Sequence, residues 1–309
     1  MSDMGTSAVF RRSGYKRIIA VTLIMAFFCG MFCGCETASA QITIETTEAT
    51  GAQVEQNDNC IIDYSGAANG YINVRYTEST DKTIKAQVAG PTGVTYTYTI
   101  RKDKYEVIPL TEGNGAYKVT VLKNVSGNSY AVVLAASFSV SLQNEFQPYI
   151  RPNQYVDFTA STKCVKKAES LCKKANTDLK KVKKVYNWVI KYFKYDYDKA
   201  KTVKAGYLPV LDTVYGKKKG ICFDYAATMT AMLRSQGVPV KLVIGYTGEE
   251  YHAWINVYSR KKGWITGAIY IASDKWKLMD PTFASTGGSS KTVMKYINNT
   301  KNYKAKYSY

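Results

Sequence analysis

Three features of the sequence predict an α+β fold in two parts. Seven short alternating or β-branched runs lie between Ile42 and Leu142, a 3.6-residue period sets in after Pro148 and Pro152, and four more strand-like runs follow from Val240 to Met279. The 309 residues are 46% hydrophobic and 13% aromatic, enough apolar material for one large or two ordinary domains, which excludes wholesale disorder.

The first 40 residues read as an export segment. Arg11, Arg12, Lys16 and Arg17 precede an uncharged run from Ile18 to Cys35, and Ala38-Ser39-Ala40 then offers the small residues a signal peptidase requires. Two alternatives stand beside cleavage: an uncleaved anchor, because about 18 apolar residues just span a bilayer, and lipidation at Cys35, where Phe32 and Cys33 depart from the preferred flanks. All three place the rest of the chain outside the cytoplasm, extracellular or at the cell surface.

Residues 41–150 follow as a β domain. Its runs are Cys60–Tyr64, Tyr71–Tyr76, Ile84–Val88, Val94–Ile100, Tyr105–Leu110, Tyr117–Leu122 and Tyr130–Leu142, separated by turns such as Glu112-Gly113-Asn114-Gly115. Seven strands at this spacing predict an immunoglobulin-like β-sandwich, without the Cys…Trp…Cys core of antibody domains. We read it as a spacer or docking module.

Residues 151–309 form the second part. Val182, Val185, Tyr186, Val189 and Phe193 make one helical stripe with lysines opposite. A further helix begins near Cys222, carries Tyr225, Met229, Met232 and Leu233 inward, and stops at Gly237 before Pro239. Strands are predicted at Val240–Tyr246, Ala253–Tyr258, Trp264–Ile271 and Trp276–Met279, and the closing Lys/Tyr alternation suits an edge strand.

Export permits disulfides, and Cys60, Cys164, Cys172 and Cys222 remain after residue 40. Cys164 and Cys172 sit eight residues apart in a helical segment, about 12 Å at 1.5 Å per residue, too far to bridge. No disulfide framework is predicted. With one histidine and no C-x-x-C pair after residue 40, no metal site is predicted either, and no acidic cluster recommends calcium.

The net charge is +18, and +16 without residues 1–40. Such a surface favours anionic partners, including a cell-wall polymer or a membrane surface. No nucleic-acid signature accompanies it, so nucleic acid is not the expected target.

Three segments carry the residue types of nucleophilic catalysis: Gly220-Ile221-Cys222, Tyr251-His252-Ala253-Trp254 and Met279-Asp280-Pro281-Thr282-Phe283. A cysteine at a helix start meets unpaired N–H groups and the positive dipole end, which favour its thiolate. Such a thiol needs a base, and the base needs a carboxylate or amide to hold its tautomer. Because His252 is the one histidine, any Cys/His chemistry must use it. Taken singly, each has a plainer reading: a small buried thiol, a structural histidine, an Asp-Pro turn.

Together, in this order and with these flanks, the segments resemble the transglutaminase-like superfamily of papain-type cysteine enzymes. Gly-x-Cys before an alanine-bearing helix ending in Gly237-Val238-Pro239 is similar to its nucleophile segment, His252-Ala253-Trp254 to its histidine strand, and Met279-Asp280-Pro281-Thr282-Phe283 to its aspartate strand. Upstream, Thr177-Asp178, the run Lys184 to Val189 and Tyr195-Asp196 resemble the helix preceding the site in bacterial members. The likeness extends over about residues 165 to 285.

That resemblance implies Cys222 as nucleophile, His252 as general base and acid, and Asp280 as the residue orienting it. It implies acyl transfer from a protein or peptide amide to water or an amine, with no cofactor. The Cys222 N–H would serve the oxyanion hole. True transglutaminases add a tryptophan upstream of the cysteine, and none lies between Trp188 and Cys222. Tyr195 and Tyr207 stand as the candidate second donors. Trp254, two residues from His252 on one strand face, either shields the site or packs on the core. Asp224 is read as structural, and Lys217, Lys218 and Lys219 as a solvated loop that could also favour the thiolate or an acidic substrate. The alternative from another class is a non-catalytic basic surface protein that keeps this scaffold for binding.

Overall fold

The computed structural model describes residues 44–265, the backbone of 269–272 and 275–278, and residues 303–309. The export segment, with Cys35, and Asp280 lie outside the described residues. No helix among the described residues is long and apolar enough to cross a membrane.

Eight strands build the first part. They are β1 (Val54–Asn57), β2 (Cys60–Asp63), β3 (Tyr71–Tyr76), β4 (Ile84–Ala89), β5 (Thr95–Ile100), β6 (Glu106–Pro109), β7 (Gly115–Ser126) and β8 (Ser129–Val140). Seven match the predicted runs. β1 is additional: Val-Glu-Gln-Asn is half-buried only at Val54, so its position rests on backbone pairing with β2. Two antiparallel sheets result, ordered β1-β2-β3-β6 and β5-β4-β7-β8. The constant-type immunoglobulin order instead groups strands A, B, E and D. Ile62, Ile72 and Val74 of one sheet and Ala86, Val119 and Val121 of the other are fully buried in one hydrophobic cluster.

The second part begins with α1 (Lys163–Cys172), which buries Cys164, Val165, Ala168 and Cys172. Its first N–H, Lys163 N, donates to Asp212 Oδ1 at 2.8 Å. α2 (Asp178–Tyr192) turns the predicted stripe inward and is capped by Thr177 Oγ1, which accepts from Lys180 N. Two short helices not foreseen from the sequence, α3 (Tyr197–Thr202) and α4 (Leu211–Lys217), lie between β9 (Lys194–Tyr195) and β10 (Lys219–Gly220), which pair in parallel. α5 (Cys222–Arg234) then buries Tyr225, Met229, Met232 and Leu233, as its pattern predicts.

β11 (Val240–Thr247) and β12 (Glu250–Ser259) make a hairpin flanked by β13 (Gly263–Ile265) and β16 (Tyr303–Ser308), in the order β13-β12-β11-β16. The Lys/Tyr segment is thus an edge strand. β14 (Ile269–Ala272) and β15 (Lys275–Leu278) form a separate hairpin. At Gly245 the backbone of β16 comes so close that an added Cβ would lie 2.1 Å from Lys304 O, so no side chain fits there.

The described residues from both parts fall in one compact unit. Tyr98 of β5 lies edge-on to Tyr155 and Tyr309, and Tyr155 stacks on Tyr309 at 3.8 Å. The strand and helical halves therefore meet over an aromatic seam, which is where the site sits.

The core also sets an alkaline limit. Burial pushes the Cys60 and Cys164 thiols up to about 12 and Cys172 to about 11, from an ordinary 9.0, and Tyr96 to about 12. A neutral acid held above its unfolded value stabilises the fold fully below that value and loses this as pH rises toward the folded one. Arg234, drawn by burial from 12.5 to about 9, works the other way but is a single group. Thermal unfolding followed by circular dichroism should give a Tm that falls steadily from about pH 9 to 11. A flat profile would contradict this account of the core.

Candidate active site

The segment Gly220-Ile221-Cys222 owes its shape to one buried carboxylate. Asp224, fully buried in the first turn of α5, accepts from Ile221 N through Oδ2 at 2.8 Å, tying down the residue before Cys222. Its other partners come from the preceding segment: Lys199 Nζ at 2.6 Å to Oδ2 and the Tyr207 hydroxyl at 2.5 Å to Oδ1. Lys199 also donates to Tyr207 Oη at 2.6 Å. Gly220 completes the turn, because a Cβ there would stand 2.5 Å from Asp224 Cβ. The parallel pairing of Gly220 with Tyr195 then fixes the segment against β9.

Cys222 is thereby the first residue of α5, half-buried, at the end where backbone N–H groups lack helical partners. The other described cysteines are free and buried, their thiols raised as given above. His252 is buried on β12, directly opposite Gly245 of β11. Cys222 and His252 line one cavity of about 660 Å³. Tyr195 and Tyr207 line it too. Burial and the Asp224 carboxylate hold the Tyr207 phenol well above its ordinary value, and its single proton is engaged by Asp224. This differs from the oxyanion role expected of Tyr207, since a phenol has one O–H to donate.

Trp254 is buried opposite Val243 with its ring 5.3 Å from that of Tyr303. It is not among the described residues lining the cavity, so of its two expected roles packing is the one observed. The lysine loop before Cys222 is also engaged: Lys218 lies 3.5 Å over the Tyr215 ring and Lys219 pairs with Asp196 at 3.0 Å. Among the described residues no group of three or more His, Cys, Asp or Glu could hold a metal ion.

Sequence reasoning missed the opposite wall. Thr97, Thr99, Gln154, Tyr155, Tyr307 and Tyr309 line the same cavity. The Thr/Tyr alternation of β5 shows which side chains face outward, but a single sequence carries no signal for the remote surface they meet.

Residues 165–267, which include Cys222 and His252, match the model of the transglutaminase-like superfamily. The chain is 29% identical over 69 residues to a protein-glutamine gamma-glutamyltransferase of Pseudomonas aeruginosa, covering 18% of this chain and 10% of that protein. It is 33% identical over 110 residues to the UPF0252 protein MJ1282 of Methanocaldococcus jannaschii, covering 33% and 30%. Among solved structures, a candidate cysteine protease from Cytophaga hutchinsonii aligns with a TM-score of 0.36 and 13% identity, over 74% of this chain and 68% of that one. The chain thus spans between a tenth and three tenths of the length of the curated relatives it matches.

Asp224→Asn removes the charge and one acceptor at the fully buried member of a part-buried cluster, leaving Lys199 without its counter-charge. Stability should fall by about 1–3 kcal/mol in urea titrations. Adding Lys199→Met should recover part of the loss; strict additivity of the two changes would argue against the cluster.

Proposed function

We propose that this chain is an exported cysteine-dependent acyl-transfer enzyme acting on peptide or glutamine-type amide bonds. The observation that carries this reading is that Cys222, at the start of α5, and the one histidine of the sequence, His252, line the same cavity. The match of residues 165–267 to the transglutaminase-like superfamily supports it. The glutamine-type amide is suggested by the Pseudomonas relative.

In this mechanism His252 takes the thiol proton and Cys222 Sγ attacks the amide carbonyl. The C–N bond breaks, His252 gives the proton to the departing amine or ammonia, and a thioester remains on Cys222. Water or an amine then attacks the thioester, His252 removes the proton of the incoming group, and the thiol leaves reprotonated. Asp280 would hold the imidazole tautomer. The Cys222 N–H would face the developing oxyanion, with Tyr195, paired beside Gly220, as the second donor. Hydrolysis and cross-linking share the thioester and differ in whether water or an amine reaches it. The basic surface would hold the enzyme on a cell-wall polymer or membrane, and the N-terminal sheets, in an immunoglobulin-like layering, would serve that docking.

The test is iodoacetamide alkylation resolved by peptide mass spectrometry, together with incorporation of a fluorescent primary amine into a glutamine-rich protein and cleavage of a peptide panel. Cys222 should alkylate well ahead of Cys60, Cys164 and Cys172, and more slowly in His252→Ala. Cys222→Ala should abolish turnover, and His252→Ala should lower it by about 100-fold or more. If Cys222 alkylates no faster than the other three, the enzyme reading is lost.

A further inference from the structure

The strand half of the molecule supplies a wall of the cavity. Along β5 the side chains alternate, so Tyr96, Tyr98 and Ile100 enter the core while Thr95, Thr97 and Thr99 face outward. Thr97 and Thr99 line the cavity with Cys222 and His252. Gln154, 5% exposed, lines it as well and is held in place by donating from Nε2 to Thr99 O at 2.7 Å. β5 lies at the edge of its sheet.

Two residues along a strand span about 7 Å, which is also the repeat of same-side groups on an extended peptide. Each threonine hydroxyl both donates and accepts, so the pair suits main-chain N–H and C=O groups alike. The charged side chains of the described lining bear on which substrate would fit. No Asp or Glu is among its described lining residues, and Lys204 is the lysine that lines it.

We infer that Thr97, Thr99 and Gln154 form a peptide-binding subsite outside the transglutaminase-like segment, and that with Lys204 it selects an extended peptide bearing carboxylate side chains over one bearing ammonium groups. This deepens the acyl-transfer reading and rests on it for the position of the scissile amide. The N-terminal sheets then take part in choosing the substrate.

The experiment measures binding without turnover. Fluorescent decapeptides with a central glutamine, flanked by glutamate or by lysine, are titrated by anisotropy against the full chain carrying Cys222→Ala. The glutamate peptide should bind more tightly. Adding Thr97→Val and Thr99→Val should raise its Kd by about fivefold or more, the loss expected for two neutral hydrogen bonds. Thr97→Ser with Thr99→Ser keeps both hydroxyls and should keep the affinity, and Lys204→Gln should narrow the gap between the peptides.

The inference is overturned if neither peptide binds, if the valine pair leaves Kd unchanged, if the serine pair loses as much as the valine pair, or if the lysine peptide binds as well. A chain that turns over amides yet ignores the valine pair loses the subsite and keeps the chemistry. One that binds through β5 while Cys222 stays unreactive keeps the subsite and loses the chemistry.

Discussion

A buried guanidinium joins the pieces that make the site. Arg234, 3% exposed at the end of α5, donates from Nε and Nη2 to Val240 O, from Nη1 to Arg151 O at 2.7 Å, and from Nη2 to Tyr309 O at 2.7 Å. Removing such a cation from water is costly, and burial lowers its proton affinity accordingly. Carbonyl dipoles from the start of β11, the linker and the residue after β16 offset that cost. Arg151 extends the connection, donating to Asn69 O and Thr46 O in the strand half. An arginine suits this role because its planar fork reaches several acceptors at once.

The two ends of α5 thus have separate duties. Arg234 fixes the helix to β11, whose hairpin partner carries His252, while Asp224 fixes the turn that presents Cys222. A shift at either end would alter the separation of the Cys222 thiol and the His252 imidazole, on which the proposed proton transfer would depend steeply. The seam of Tyr98, Tyr155 and Tyr309 carries the same rigidity to β5.

The fold was legible wherever burial writes a period into the chain. β2 to β8, α2 and α5 each follow from alternation or a 3.6-residue stripe. β1 was not, because Val-Glu-Gln-Asn buries almost nothing, and α3 was not, because six residues with no buried member leave no stripe. α3 is held instead by its cap, where Asp196 Oδ1 accepts from Lys199 N at 3.1 Å, and by the Lys199 side chain donating to Asp224 and Tyr207. Cys222 and His252 were singled out by residue type and flanks, and the structure brings both to one cavity. Asp224 was read as structural, and its links to Lys199 and Tyr207 join segments 17 to 25 residues apart and follow no local pattern. For Trp254, spacing gave the strand face but could not distinguish shielding from packing. The threonines of β5 were invisible for the same reason, since outward orientation does not reveal what lies opposite.

The register of β16 bears on the order in which the molecule can assemble. Thr247 pairs with Glu250 across a tight turn on one side and with Tyr303, more than fifty residues along, on the other. Closing the longer loop costs more chain entropy, so the hairpin bearing His252 is the easier contact and the addition of β16 the harder one. Tyr307 and Tyr309 reach the cavity only once that edge strand is in place. Cys222 and His252 therefore come from neighbouring stretches of the chain, whereas the part of the cavity wall formed by Tyr307 and Tyr309 depends on the longer closure.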